Sequence, residues 1–236
     1  MCRRNVTIRF YEELNDFLPE DRRRVASVLP FPAARSVKDF IEAQHVPHTE
    51  VDLILVDGES VGFGHLLKGG ERIAVFPTFE SLDIRSISRL GRPPLRQICF
   101  IADLHLGTLA RRLRLLGFDC LYGPPWDDAA LARRSADEGR ILLTRDRRLL
   151  MRSVIDHGMY VRSTDPEEQL HDIVQRLDLS QMATPFSRCC TCNGRLHAVS
   201  KDEVRELIPP KTWGYADDYH QCAECGKLYW VGTHWP

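Results

Sequence analysis

The sequence has no apolar stretch approaching the length that crosses a bilayer, so no membrane-spanning helix is expected. It has almost no net charge, −1 at pH 7, and therefore no global basic field to steer it toward nucleic acid. A signal-peptide pattern is also missing. Met1-Cys2-Arg3-Arg4-Asn5 runs straight into alternating residues rather than an apolar segment, which predicts a cytoplasmic, reducing setting. Lysine is absent between Arg111 and Arg152, a stretch that holds ten arginines. Taken alone, those arginines read as coding bias and solvated helix faces. The composition is otherwise that of a globular chain, with 43% hydrophobic residues over 236 positions, enough for one large domain or a few small ones.

Against this background four cysteines stand out, in the pairs Cys189-x-x-Cys192 and Cys222-x-x-Cys225. Two CxxC pairs put four soft thiolates on two tight turns, the ligand set of tetrahedral Zn²⁺. Residues 193–221 separate the pairs, more than a short ribbon needs, so an insertion is expected there. Cys190 is worse spaced than its neighbours and is left out of the site. His220 and His234 lie near the second pair, but four thiolates already complete the set.

Residues 5–10 alternate as a half-buried strand does. Ser36 with Asp39 reads as a helix start, with Val37, Phe40 and Ile41 as the apolar stripe. Val51–Val56 reads as a strand turned by Asp57-Gly58, Gly69-Gly70 as a second turn, and Arg72–Pro77 as a final strand. These elements in residues 1–80 predict an α+β domain of the β-grasp kind. Residues 81–95, with Ser86, Ser88, Gly91, Pro93 and Pro94, read as a linker.

A new rhythm follows. Gln97–Ala102 and Arg140–Thr144 are continuous apolar runs like strands buried on both faces. Shorter strands are predicted at 118–122 and 159–161. Helices are predicted through Leu109, Leu113 and Leu116, from Asp127 or Asp128 to Asp137, from Arg147 to Ile155, and from Glu167 to Leu177 with Pro166 in its first turn. This alternation over 96–180 predicts a parallel α/β sheet.

Sites on such sheets lie beyond the carboxyl ends of the strands. Asp103, Asp128 and Asp146 fall there, with Asp127 competing for the place of Asp128. Three carboxylates converging would repel one another unless a cation lay between them, and oxygen ligands of this kind suit Mg²⁺ or Mn²⁺. The competing explanation is that each acid caps a helix. For Asp165 the cap is preferred. Arg111 and Arg112 follow Asp103 while Arg145 and Arg147 flank Asp146, where guanidinium groups would bind phosphate. Arg145 is the first choice among them, and Arg114 reads as a solvated helix face.

At this point Phe100–Gly107, Leu109–Arg114, Leu116–Asp119 and Ile141–Arg147 resemble the RNase family named for the C-terminal region of the Mut-seven exonuclease. Arg188-Cys189, Cys192-Asn193, Cys225-Gly226, Tyr229-Trp230 and Gly232–Trp235 extend the likeness, and Arg9–Tyr11, Leu14–Leu18, Val46–Val51 and Val75–Pro77 resemble the ubiquitin-like domain fused ahead of it. The resemblance implies a PIN-like nuclease with Asp103, Asp128 and Asp146 at its acidic positions, and a four-cysteine zinc ribbon over 181–236. The expected activity is Mg²⁺- or Mn²⁺-dependent hydrolysis of RNA. Rival readings are a non-catalytic RNA- or ribosome-associated module and a sulfur-carrier-like adaptor. The adaptor fits poorly, because the chain runs on through Phe79 past Gly69-Gly70. The ubiquitin-like domain would bind a protein partner or RNA, or cap the nuclease. Trp213, Tyr215, Tyr219, Tyr229, Trp230 and Trp235 would either stack bases or fill a core too small to stand without metal.

Overall fold

The computed structural model describes residues 4–78, 84, 86–91, 95, 97–210, 212–214 and 216–231, with the side chain of Arg4 outside that set. The expectations for Phe79, Pro93, Pro94, Tyr215 and Gly232–Trp235 fall outside the described residues. The first domain comprises β1 (Arg4–Phe10), β2 (Ser27–Phe31), α1 (Val37–Glu42), β3 (Val51–Val56), β4 (Glu59–Ser60) and β5 (Arg72–Pro77). Its sheet has the order β2-β1-β5-β3-β4, with β1 and β5 parallel at its centre and the other pairs antiparallel, a β-grasp. Alternation in β1 turns Val6, Ile8 and Phe10 inward, against Val37, Phe40 and Ile41 of α1. Ser36 caps α1 by accepting from the Asp39 N–H at 3.0 Å. Asp57 and Gly58 both take positive φ, 50° and 91°, as a two-residue hairpin turn requires.

The described part of 81–95 is packed rather than loose. Ser88 Oγ donates to the Asp52 carbonyl at 2.6 Å, and Leu90 packs on the β-grasp core. Leu95 packs instead on the core of the next domain.

That domain runs β6 (Cys99–Ala102), α2 (Gly107–Leu115), β7 (Asp119–Leu121), α3 (Asp128–Glu138), β8 (Ile141–Thr144), α4 (Arg147–Leu150), β9 (Gly158–Tyr160) and α5 (Pro166–Arg176). The four strands are all parallel, in the order β7-β6-β8-β9. Phe100, Ile141 and Leu143 bury against α2 and α5, while Ile101 and Leu142 bury against α3 and α4. With both faces covered, continuous apolar runs replace alternation. The helix at 147 ends at Leu150, well short of the expected Ile155. Ser153, Val154 and Ile155 are weak helix formers, and Ile155 is drawn into the core through tight turns.

The last module pairs β10 (Leu196–Val199), β11 (Tyr219–Cys222) and β12 (Leu228–Trp230) antiparallel. Its small core gathers Val204, Ile208, Ala216 and Tyr219, with Leu228 and Trp230 against it. Tyr219 and Trp230 are thus core fillers, whereas Trp213 lies on the surface between the cations of Lys201 and Arg205.

The β-grasp docks on the outer strand β9 through a buried charge. Glu50 is 0% exposed. It accepts from the Tyr160 N–H at 2.5 Å, Arg176 Nη2 at 2.9 Å and Arg162 Nη2 at 3.4 Å. His48 bridges Glu42 and the Ile155 carbonyl at 2.7 and 3.0 Å. Among the described residues Arg176 Nε and Nη1 have no hydrogen-bond partner and face Glu13 and Asp172 at 3.9 Å, so Glu50 is the principal anion of Arg176 there. Removing one partner of a buried pair leaves the other uncompensated. Glu50→Ala should therefore lower unfolding free energy by about 3–5 kcal/mol in urea titrations. Asp16→Ala, which frees the same Arg162 at an exposed pair, should cost under about 1 kcal/mol. Equal small effects would mean that this interface does not form in solution.

Candidate metal centre and carboxylate pair

The sulfurs of Cys189, Cys192, Cys222 and Cys225 all lie within 4.8 Å of one another. Two of the separations are 3.6 Å (Cys189 to Cys225) and 3.4 Å (Cys192 to Cys222), far beyond a disulfide bond. A zinc ion with bonds of about 2.3 Å sets tetrahedral sulfur–sulfur edges of about 3.8 Å, so the set fits that ion. The two turns are alike. The N–H groups of Cys192 and Cys225 each reach back to the first sulfur of their pair at 3.5 Å. Asn193 and Gly226, each just after a pair, take φ of 69° and 71°, a conformation these residue types accept most easily. Gly194 is required by the close approach of the turns, since a Cβ there would stand 2.5 Å from Glu224 Cγ and 2.9 Å from Cys222 Sγ. Cys190 is outside the cluster, and burial pushes its thiol pKa up. His220 stacks on Phe186 rather than joining the sulfurs.

Strand order brings two of the three predicted carboxylates together. β6 and β8 are neighbours although β7 lies between them in sequence, so their carboxyl ends form the switch point of the sheet. Asp103 follows β6 and Asp146 follows β8, and Thr144 joins them. Its hydroxyl donates to Asp103 Oδ2 at 2.7 Å and accepts from the Asp146 N–H at 3.0 Å. Both acids also cap: Asp103 Oδ1 accepts from the Leu104 N–H at 2.6 Å, and Asp146 Oδ1 from the Arg148 N–H at 2.7 Å. Asp127 is the N-cap of α3, accepting from Ala130, which leaves Asp128 exposed and 3.7 Å from Arg152. Asp165 caps α5 through the Glu167 and Glu168 N–H groups. Among the described residues, Asp103, Asp128 and Asp146 do not form a group that could hold a metal ion as they stand.

The arginines divide. Arg111 is exposed, and Arg112 holds only an exposed pair with Glu167 at 3.3 Å. Arg145 is tied to the Arg162 and Ser163 carbonyls. Arg147 lies 5.0 Å over Phe17 and 5.2 Å over Tyr160, and donates to the Phe17 carbonyl at 3.3 Å. Arg114, expected on a solvated face, is 3% exposed. Its guanidinium satisfies carbonyls of Cys120, Tyr122, Cys190 and Thr191.

Two positions here escaped the reading of the sequence. Thr144 was legible as the last residue of a buried strand, but its hydroxyl gains meaning only beside β6. Asp119 binds Arg140 at 2.7 Å, Asn193 at 2.8 Å and Arg188 at 3.1 Å, fastening the ribbon to β7. Burial opposes its ionisation, but the hydrogen bonds of Arg140 and Asn193 and the charges of Arg140 and Arg188 outweigh it and hold its pKa below the ordinary 3.8.

Thr144→Val should cost about 1 kcal/mol by removing two part-buried hydrogen bonds, while Thr144→Ser should keep most of that stability. Denaturant midpoints of the two variants check this. A depressed folded pKa means that the Asp119 contribution is complete above 3.8 and is lost as pH falls through the folded value. Stability measured from about pH 5 down to pH 2 should fall less steeply in Asp119→Asn than in the wild type.

Neither the curated proteins nor the solved structures contain a match to this chain. A family model described as Mut7-C ubiquitin matches residues 3–83, and one described as Mut7-C RNAse domain matches residues 98–236. The second match spans more than half of the chain, from β6 through all four cysteines, and on that ground the chain belongs to the Mut7-C RNAse domain family.

Proposed function

We propose that the chain is a metal-dependent ribonuclease whose reacting centre is the Asp103–Asp146 pair. The observation that carries this reading is Thr144, a 0% exposed hydroxyl that fixes both carboxylate segments at the switch point of the sheet. A Mg²⁺ or Mn²⁺ ion held there would make bound water more acidic and neutralise charge on the scissile phosphodiester. Asp103 and Asp146 would supply its oxygen ligands, with Thr144 holding Asp103 Oδ2 in place. Asp128, which stands apart beside Arg152 at the start of α3, would add a third carboxylate to the set.

Arg111 and Arg112, on the helix after Asp103, bind substrate phosphates, and the exposed Glu167 pair exchanges readily for a phosphate. Arg145 and Arg147 shape the rim, since their guanidinium groups are held by the protein. In this reading the four sulfurs would hold structural zinc, and thiolates kept for metal suit a reducing compartment such as the cytoplasm. Among the described residues no helix is long and apolar enough to cross a membrane.

The test is RNA cleavage with Mg²⁺ or Mn²⁺ against EDTA. Asp103→Asn and Asp146→Asn should each lower cleavage at least about a hundredfold, the scale on which single catalytic groups act. Asparagine caps helices as well as aspartate does, so folding should be spared. RNA binding without metal-dependent cleavage would favour the non-catalytic module instead.

A further inference from the structure

The first cysteine turn is fastened to the nuclease domain by a buried cation. Arg114 Nη1 donates to the Cys190 and Thr191 carbonyls at 3.2 and 3.0 Å, the two residues between Cys189 and Cys192. The same guanidinium holds β7, donating to the Cys120 carbonyl at 2.8 Å and the Tyr122 carbonyl at 3.3 Å. Tyr122 then reaches the Asp103 segment, its hydroxyl donating to the Leu104 carbonyl at 2.9 Å, and the Leu104 N–H holds Asp103 Oδ1. Gly107 makes that contact possible, since a Cβ there would fall 2.7 Å from the Tyr122 hydroxyl. A second fastening runs parallel, from the Cys120 N–H to Asn193 Oδ1 at 3.1 Å.

We propose that Arg114 is a positioning residue that couples occupancy of the four-cysteine centre to the order of the Asp103 segment, so that the metal centre braces the carboxylate pair. A guanidinium this deeply buried needs its carbonyl acceptors, because leaving donors unsatisfied away from water costs the desolvation of a charged group. A ribbon with so small a core owes its fold to the metal. When the metal leaves, the Cys190–Thr191 turn relaxes, two of the four carbonyl contacts go, and Arg114 no longer clamps β7 to the helix behind Asp103. By reciprocity, loosening Arg114 weakens metal retention by the same factor. The proposal rests on the reading that the four sulfurs hold metal and that Asp103 belongs to the reacting centre, but its test involves neither RNA nor cleavage.

Amide hydrogen exchange of the full-length chain decides it, metal-loaded and after chelation, with metal content measured on the same samples. Chelation should speed exchange in residues 104–107 and 119–122 about tenfold or more, within the usual range of coupling between sites. Metal-loaded Arg114→Met should already exchange at the stripped rate over 104–107, and chelation should add little there, while Cys120 should still respond through Asn193. A merely structural Arg114 would shift the loaded and stripped rates in parallel. In Tyr122→Phe, chelation should still loosen 119–122 while 104–107 no longer respond. Unchanged exchange in the stripped wild type overturns the proposal, as does an undiminished response of 104–107 in Arg114→Met. Should Arg114→Met fail to fold, an undiminished response of 104–107 in Tyr122→Phe overturns it. A wild-type chain that retains no metal refutes the metal centre itself, an outcome read from metal content and separate from any failure to cut RNA.

Discussion

The parallel hydrogen bonding between β6 and β8 sets Ala102 against Leu143 and carries on in the bond from the Asp103 N–H to the Leu143 carbonyl at 3.0 Å. That register delivers the Thr144 hydroxyl to the Asp103 carboxylate, and the same hydroxyl receives the N–H of Asp146. A one-residue slip would turn Thr144 to the opposite face of the sheet and separate the acids. The slip is opposed by apolar burial on both faces, since Leu142 and Leu143 serve opposite cores. Packing of the sheet and assembly of the carboxylate pair are therefore one constraint.

Buried or half-buried charges then hold the modules against this sheet. Glu50 draws Arg176 and Arg162 from the outer edge, Asp119 draws Arg188 and Asn193 from the ribbon, and Arg114 reaches the first cysteine turn. Such groups contribute little net stability compared with apolar packing of equal volume, because desolvation offsets much of the attraction. They do penalise misplacement, because a shifted module would leave a charge buried without its partner. The fastenings lie at opposite edges of the sheet, β9 on one side and β7 on the other, and leave the central strand ends to the carboxylates.

The arginines show how reading by position loses information. The run from Arg111 to Arg152 looks uniform in sequence, yet its members do different work. Arg111 is exposed, Arg114 is buried among carbonyls, Arg140 pairs with Asp119 and Glu138, and Arg147 lies over two aromatic rings. Nothing local separates them, because a long side chain meets groups many residues away. Arg114 and Thr191, or Arg147 and Phe17, are neighbours only in the folded chain.

The sequence by itself determined what depends on near neighbours. Alternation set β1, capping set the starts of α1, α3 and α5, and glycine-bearing turns set the hairpin at Asp57-Gly58. The CxxC spacing marked the four cysteines that cluster, because each pair lies on one tight turn whose geometry is local. Tertiary structure alone decided which strands adjoin, and hence that Asp103 and Asp146 share Thr144 while Asp128 stands apart beside Arg152. It also decided which charges are buried. Burial depends on what the rest of the chain brings to cover a residue, and that information is not carried within a few positions of it.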